Sequence, residues 1–299
     1  MRSPDLTPNQ QRFATYLARL WTRDRADGFA HRYRITRSRH WRTWRERVGE
    51  PVDHWWCESL SEASARYSWA DAIPGLTFEA LSNQLQWQLS TQDGEAVRRT
   101  CLELFKWGGV ARSSNDKSRR WIEAQAANGG LCASLSDGVR TMQVGSTDDL
   151  LRFDGADLPM NAAMTKIYAA IDPDNVMIYD GRVGAALGLL TRKWLASVGH
   201  HSVPSDVAFR WGAKQGDHAA RNPSFGAYSF SSLYLPSSKE LQQDRAWAAV
   251  ARKASQICAA AAALTDGAAT VREIERALFM IGYDVRGNSP LPTLPPTGT

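Results

Sequence analysis

Residues 153–187 read FDGADLPMNAAMTKIYAAIDPDNVMIYDGRVGAAL, and the fold turns on how that stretch is divided. A helix over Thr147–Arg152 should end at Asp154-Gly155, and Leu158-Pro159 marks a tight connection. A second helix starts near Asn161 and carries Thr165-Lys166. It must stop at Asp172-Pro173, because proline disfavours helix at the residue before it. Val176 to Tyr179 forms a short extended return. Asp180 then opens a third helix marked by Val183, Leu187 and Leu190.

Helical signals recur on both sides. Thr7-Pro8 is a cap and first-turn pair for a segment over 8–26. Thr77 precedes Phe78, Leu81, Leu85 and Leu89 at helical spacing. Asp93 caps a segment with Val97, Cys101, Leu104 and Phe105 on one face, and Gly108-Gly109 stops it. Segments 238–264 and 270–282 carry apolar stripes, including Leu241, Trp247, Val250, Ala254 and Ile257 in the first and Val271, Ile274 and Leu278 in the second. Strand-like alternation is scarce and no tandem repeat is visible. The expected class is all-α, one helical unit over 1–287 that could divide into two lobes around a cleft. The proline-rich tail 288–299 is expected to be disordered. The connection 198–236 is unusually long for a structureless loop.

Composition excludes several classes. The 299 residues are 43% hydrophobic and 22% charged, an ordinary globular balance. No apolar run is long enough to span a membrane, and MRSPDLTPNQ has no signal core. Cys57, Cys101, Cys132 and Cys258 are far apart. They predict free thiols in a reducing cytoplasm rather than disulfides or a metal site. His200, His201, Asp206, Asp217 and His218 match no familiar ligand spacing, so no metal or other cofactor is expected.

The net charge of +5 is unevenly spread. Arg19 to Arg47 holds ten arginines against Asp24, Asp27 and Glu46, a local balance of +7. Within it Arg37, Arg39, Arg42 and Arg45 interleave with Trp41 and Trp44. Guanidinium forks with aromatic faces suit phosphate and base contacts, although a solvated helix face reads the same way. Lys117, Arg119 and Arg120 before Trp121 form a second basic knot.

The segment around Thr165-Lys166 and Asp180 resembles the helix–hairpin–helix DNA glycosylases, in particular their 8-oxoguanine DNA glycosylase-like bacterial branch. LFKWGGV (Leu104–Val110) also looks like members of that branch. The family's hairpin usually reads Leu-Pro-Gly-Val-Gly, with the lysine five residues after the proline; here Leu158-Pro159-Met160-Asn161 follows and Lys166 lies seven residues on. The resemblance implies that Lys166 is a nucleophile and that Asp180 assists glycosidic cleavage on an extruded base in double-stranded DNA. It implies oxidised guanine as the default substrate. A specialised phage-defence member would instead take a hypermodified base such as glucosylated hydroxymethylcytosine. Gln84, Gln86 and Gln88 lie where that fold class often faces the base. Trp107 reads as a wedge, a pocket aromatic or core, and Arg182 as a phosphate contact or a surface residue.

Spacing alone leaves two readings of each central residue. Lys166 borders the apolar residues Ile167, Ala170 and Ile171, so burial can lower its pKa, but helical lysines are commonly solvated. Asp180 can be an N-cap, a catalyst or both. The rival functions are a non-catalytic DNA-binding module and a helical partner-binding protein, whose Arg/Trp segment would be a protein interface. A monomer is expected.

Overall fold

The computed structural model describes residues 6–22, 29–49, 52–69 and 76–286. In chain order the elements are α1 (Pro8–Arg19), β1 (His31–Arg34), α2 (Arg42–Val48), β2 (His54–Cys57), α3 (Leu60–Ala65), α4 (Phe78–Ser90), α5 (Gly94–Trp107), α6 (Lys117–Ala127) and α7 (Leu131–Met142). They continue with α8 (Met164–Ile171), α9 (Gly181–Ser197), α10 (Gln243–Ala263) and α11 (Val271–Ile281). The protein is therefore mostly helical. The tail 288–299 lies outside the described residues, as do residues 23–28 of the arginine-rich stretch.

Local chemistry sets most helix starts. The hydroxyls of Thr7, Thr77 and Thr270 and the carboxylates of Asp93, Asp116 and Asp180 accept backbone N–H groups at six N-termini. Gly108 ends α5, and Gly109 follows in the left-handed region (φ +64°), where glycine carries no steric penalty.

The first helix ends earlier than expected, at Arg19. The expected helix before the hairpin shrinks to a 3-10 turn, Leu150–Arg152. Helices α6 and α7 are additions to the sequence reading. So is the antiparallel pair β1–β2, which sets Tyr33 opposite Trp55 with the rings stacked at 5.1 Å. The connection 198–236 is packed, with Val207, Phe209 and Leu233 buried and two 3-10 turns, Ser205–Val207 and His218–Arg221.

Helices α4 to α8 pack chiefly on one another, while α1, α3, α9, α10 and α11 form a second group. One continuous apolar core joins them. The chain crosses from one group to the other between α8 and α9, so the segment 172–180 lies at the seam.

Candidate active site

The site starts from the turn over residues 159–163 that leads into α8. Asn161 Oδ1 accepts from the Ala163 and Met164 N–H groups and so fixes the turn that enters α8. The Met160 N–H donates to the buried carboxylate of Asp244 at 2.6 Å. Residues 164–170 are all buried, so α8 has no solvent face for Lys166 to occupy. Lys166 is only 6% exposed, and its Nζ donates to the Ala162 carbonyl at 2.8 Å. Its stem passes directly over Gly108, where any side chain would collide with it.

The extended return is fixed at every residue. The Met177 N–H donates to Ser255 Oγ (3.1 Å) and the Ile178 N–H to Glu275 Oε2 (2.7 Å). Trp247 Nε1 donates to the Tyr179 carbonyl (3.0 Å), and Tyr179 Oη donates to the Arg210 carbonyl (2.7 Å). Asp180 is thereby held at the start of α9, where its Oδ1 accepts from the Arg182 and Val183 N–H groups at 2.8 and 3.0 Å. It is an N-cap by geometry, as one of its two readings expected.

Lys166 and Asp180 open onto one cavity of about 240 Å³. Tyr67, Trp69, Trp107 and Phe279 supply aromatic walls, and Arg182, Arg221 and Glu275 complete the polar lining. Trp69 Nε1 donates to the Trp107 carbonyl at 3.1 Å, tying two of the walls together. A larger open groove of about 490 Å³ lies at the far end of α9, lined by Arg12, Arg19 and Lys193, and contains neither Lys166 nor Asp180. Of these two, the smaller cavity is the one in which an amine and a carboxylate converge.

Electrostatics sharpen the roles. Burial pushes the Lys166 ammonium down from 10.5 to about 8, with Arg182 and Arg272 adding to the effect and Asp180 opposing it. For Asp180, burial works against the charge. The nearby Lys166 and Arg182, the Val183 N–H and Arg221 outweigh it and hold the carboxylate below its ordinary range. The site therefore pairs a lysine that releases its proton near neutrality with a carboxylate that stays ionised. Glu275 is buried and already committed: Arg272 holds one oxygen and the Ile178 N–H the other.

No family model matches this sequence, and no curated protein or solved structure is detectably similar to it. The residues themselves carry the argument. Of those expected at the site, Lys166, Asp180, Arg182 and Trp107 are brought together. The glutamines are not. Gln84 faces solvent, Gln86 donates to Ser82 and the Ala170 carbonyl, and Gln88 is buried; all three stand apart from the cavity.

The arginine-rich segment needs a larger correction. Trp41 and Trp44 are fully buried, and Trp44 Nε1 donates to the His54 carbonyl at 2.9 Å, so neither ring is presented for stacking on a base. Both rings join the aromatic cluster of β1 and β2, Trp41 against Tyr33 and Trp44 against Trp55 and Trp56, and burial there won over display. Arg45 is folded back onto the carbonyls of Thr36 and Ser38. Arg37 and Arg42 are exposed, Arg42 with a weak contact to Glu46 at 3.7 Å. The Arg39 side chain lies outside the described residues.

In the second knot, Lys117 is tied to Asp244 at 2.7 Å, whereas Arg119 is half-buried and Arg120 exposed. That knot sits against the hairpin: Ser118 Oγ bonds Asn161, and Trp121 Nε1 donates to the Asp157 carbonyl.

Arg221, Tyr67, Trp69, Glu275 and Phe279 were missed from sequence. Glu275 and Phe279 did leave a trace, a carboxylate and an aromatic four residues apart beside an apolar stripe. Arg221 left none, because the connection that carries it has no periodicity. Among the described residues no His/Cys/Asp/Glu cluster could hold a metal, the four cysteines are free and buried, and no helix is long and apolar enough to cross a membrane.

Proposed function

We propose that this protein is a DNA glycosylase of the helix–hairpin–helix kind, with Lys166 and Asp180 as its catalytic residues. The observation that carries the reading is the convergence of a buried, low-pKa lysine and an ionised, helix-capping aspartate on one aromatic-walled cavity. Breaking an N-glycosidic bond builds positive charge on the sugar, and a fixed carboxylate stabilises it. The neutral Lys166 amine attacks C1′ with its lone pair, the C1′–N bond to the base breaks, and the base leaves with that electron pair and takes up a proton. The enzyme-bound sugar opens to a Schiff base, from which the strand can be cut.

A cavity of 240 Å³ lies just under the usual ligand-pocket range of about 300–1,000 Å³. It suits a single extruded base between aromatic faces rather than a whole nucleotide. The hairpin with Arg119 and Arg120 beside it, and Arg37 and Arg42 on the arginine-rich segment, are the candidate duplex contacts.

The test is a panel of duplexes carrying oxidised guanine, alkylated and deaminated bases, and glucosylated hydroxymethylcytosine, followed by alkali to reveal abasic sites. Release of oxidised guanine makes the enzyme a repair glycosylase; release of the hypermodified cytosine makes it a defence against phages. A borohydride-trapped adduct lost in Lys166→Gln assigns the attack to the amine. Base release that survives Lys166→Gln but not Asp180→Asn assigns it to a water oriented by Asp180. No release from any duplex overturns the enzymatic reading.

A further inference from the structure

Two of the cavity's cations are not accounted for by that chemistry. Arg182 and Arg221 both line it, and both are half-buried. Arg182 Nη1 and Arg221 Nε are buried without a hydrogen-bond partner among the described residues. Arg272 and Arg276 also leave a buried Nε unpartnered, but each closes on a carboxylate through another nitrogen, Arg272 on Glu275 and Arg276 on Glu79. Arg98 closes on Glu95 and Glu123, and Arg152 on Asp137 and Asp157. Among the described residues, Arg182 and Arg221 close on no carboxylate in that way.

Their surroundings make the exception costly. Burial and the neighbouring Arg182 push the Arg221 guanidinium down to about 10, a sign of like charges held together. His40 beside them adds no further charge, because burial and the same two arginines push it down to about 3 and keep it neutral. Asp180 is the one carboxylate of the cavity not already bound by an arginine, and it faces Lys166, Arg182 and Arg221 together. The cavity thus has a surplus of positive charge.

Arg182 is also rigidly mounted. Its guanidinium lies 4.4 Å from the Phe279 ring centroid and 5.4 Å from those of Trp69 and Tyr283. Contact through the guanidinium face leaves its N–H edge available for a planar, fork-like contact.

The geometry points to an anion subsite formed by Arg182 and Arg221, which takes a phosphate attached to the sugar of the nucleotide whose base enters the cavity. It rests on the reading of the cavity as a nucleotide site. With the base inside and C1′ brought to Lys166, a phosphate on that sugar comes to the cavity wall that Arg182 and Arg221 form. Charge-assisted bonds from an arginine pair to phosphate are among the stronger polar contacts available. The phosphate belongs either to a DNA strand or to a free nucleotide.

Two probes separate those sources. The first is a duplex with an uncleavable tetrahydrofuran abasic analogue, carrying one neutral methylphosphonate 5′ or 3′ to it. The second is a deoxynucleoside 5′-monophosphate compared with its deoxynucleoside. Each is titrated against wild type, Arg221→Gln and Arg182→Gln, with melting curves checking that the variants fold.

On one side of the abasic analogue, the methylphosphonate should weaken wild-type binding by about 10-fold or more. It should weaken Arg221→Gln far less, because the contact is already gone. Equal weakening in wild type and Arg221→Gln overturns the subsite. An Arg221-dependent preference for the monophosphate, with no duplex binding, keeps the subsite and overturns the DNA reading. Loss of affinity for neither probe in Arg221→Gln overturns the subsite whatever the excision assays show.

Discussion

Lys166 reaches the cavity across a gap that Gly108 leaves open: a Cβ on Gly108 would stand 2.4 Å from both Cδ and Cε of Lys166. Helix α8 is packed on all sides and cannot retreat, so Gly108→Ala should expel the lysine stem from its path. Overpacking of this kind costs about 1–3 kcal/mol. We expect a lowered melting temperature and borohydride trapping reduced at least about tenfold. Adding Lys166→Ala should restore most of the stability, since it removes the colliding partner. Wild-type trapping by Gly108→Ala would show that the amine does not need this path.

Burial of Lys166 links stability to pH. Below pH 8 both folded and unfolded chains hold the proton, and the full penalty of a buried ammonium is present. Between about 8 and 10.5 the unfolded chain binds more protons than the folded one, so stability rises with pH across that window. The drop from 10.5 to about 8 corresponds to about 3 kcal/mol. Lys166→Met should melt higher than wild type at pH 7 and show a flatter pH dependence from 8 to 10.5. Trapping by wild type should climb as pH approaches 8 and then level off.

Asp180 separates into two functions by substitution. Asparagine keeps an oxygen that accepts from the Arg182 and Val183 N–H groups, whereas alanine removes it, at a further cost of about 1 kcal/mol. Asp180→Asn should retain helical circular dichroism yet lose about 10²-fold in base release. It should also move the midpoint of the trapping profile below pH 8, because Asp180 is the group that raises the Lys166 pKa. An unchanged midpoint would mean that the two groups do not sense each other.

The arginine-rich segment divides into core and surface. Trp44→Ala should cost about 3–5 kcal/mol through the void left in the core. Arg37→Gln and Arg42→Gln should leave melting unchanged. Each should reduce the slope of DNA affinity against salt concentration by about 1. Variants whose salt slope matches wild type would remove those two residues from the DNA interface.

Lys117 binds a carboxylate rather than a phosphate. Its ammonium is partly exposed, but Asp244 is buried and also accepts from the Met160 N–H of the hairpin. Lys117→Met should therefore destabilise the protein by about 1–2 kcal/mol, discounted for solvent screening of the lysine. Adding Asp244→Asn should return part of that loss. A normal melting curve with weaker DNA binding would instead reassign Lys117 to the interface.

Helix termini were legible wherever the signal was local. Thr77, Asp93, Asp180 and Thr270 cap the helices expected to follow them, and Gly108 ends α5, because a side chain and the backbone a few residues away satisfy each other. Helix α7 carried a readable period, Leu131, Leu135, Val139 and Met142, that the sequence reading missed, whereas the polar and small residues of α6 leave only Trp121 and Ile122 as large apolar positions. The Trp41 and Trp44 pattern misled, because arginine-flanked tryptophans look alike whether a ring is displayed or closed beneath a β-pair.

The sequence by itself determined a mostly helical chain and put Lys166 inside a helix with Asp180 at the start of the next, since capping and helical period depend on near neighbours. Only the tertiary structure decided that α5, α8, α9, α11 and the turn at Arg221 meet around one cavity. The lowered pKa of Lys166 and the unpartnered arginines follow from that meeting, because desolvation and Coulomb forces depend on distance in space and not along the chain.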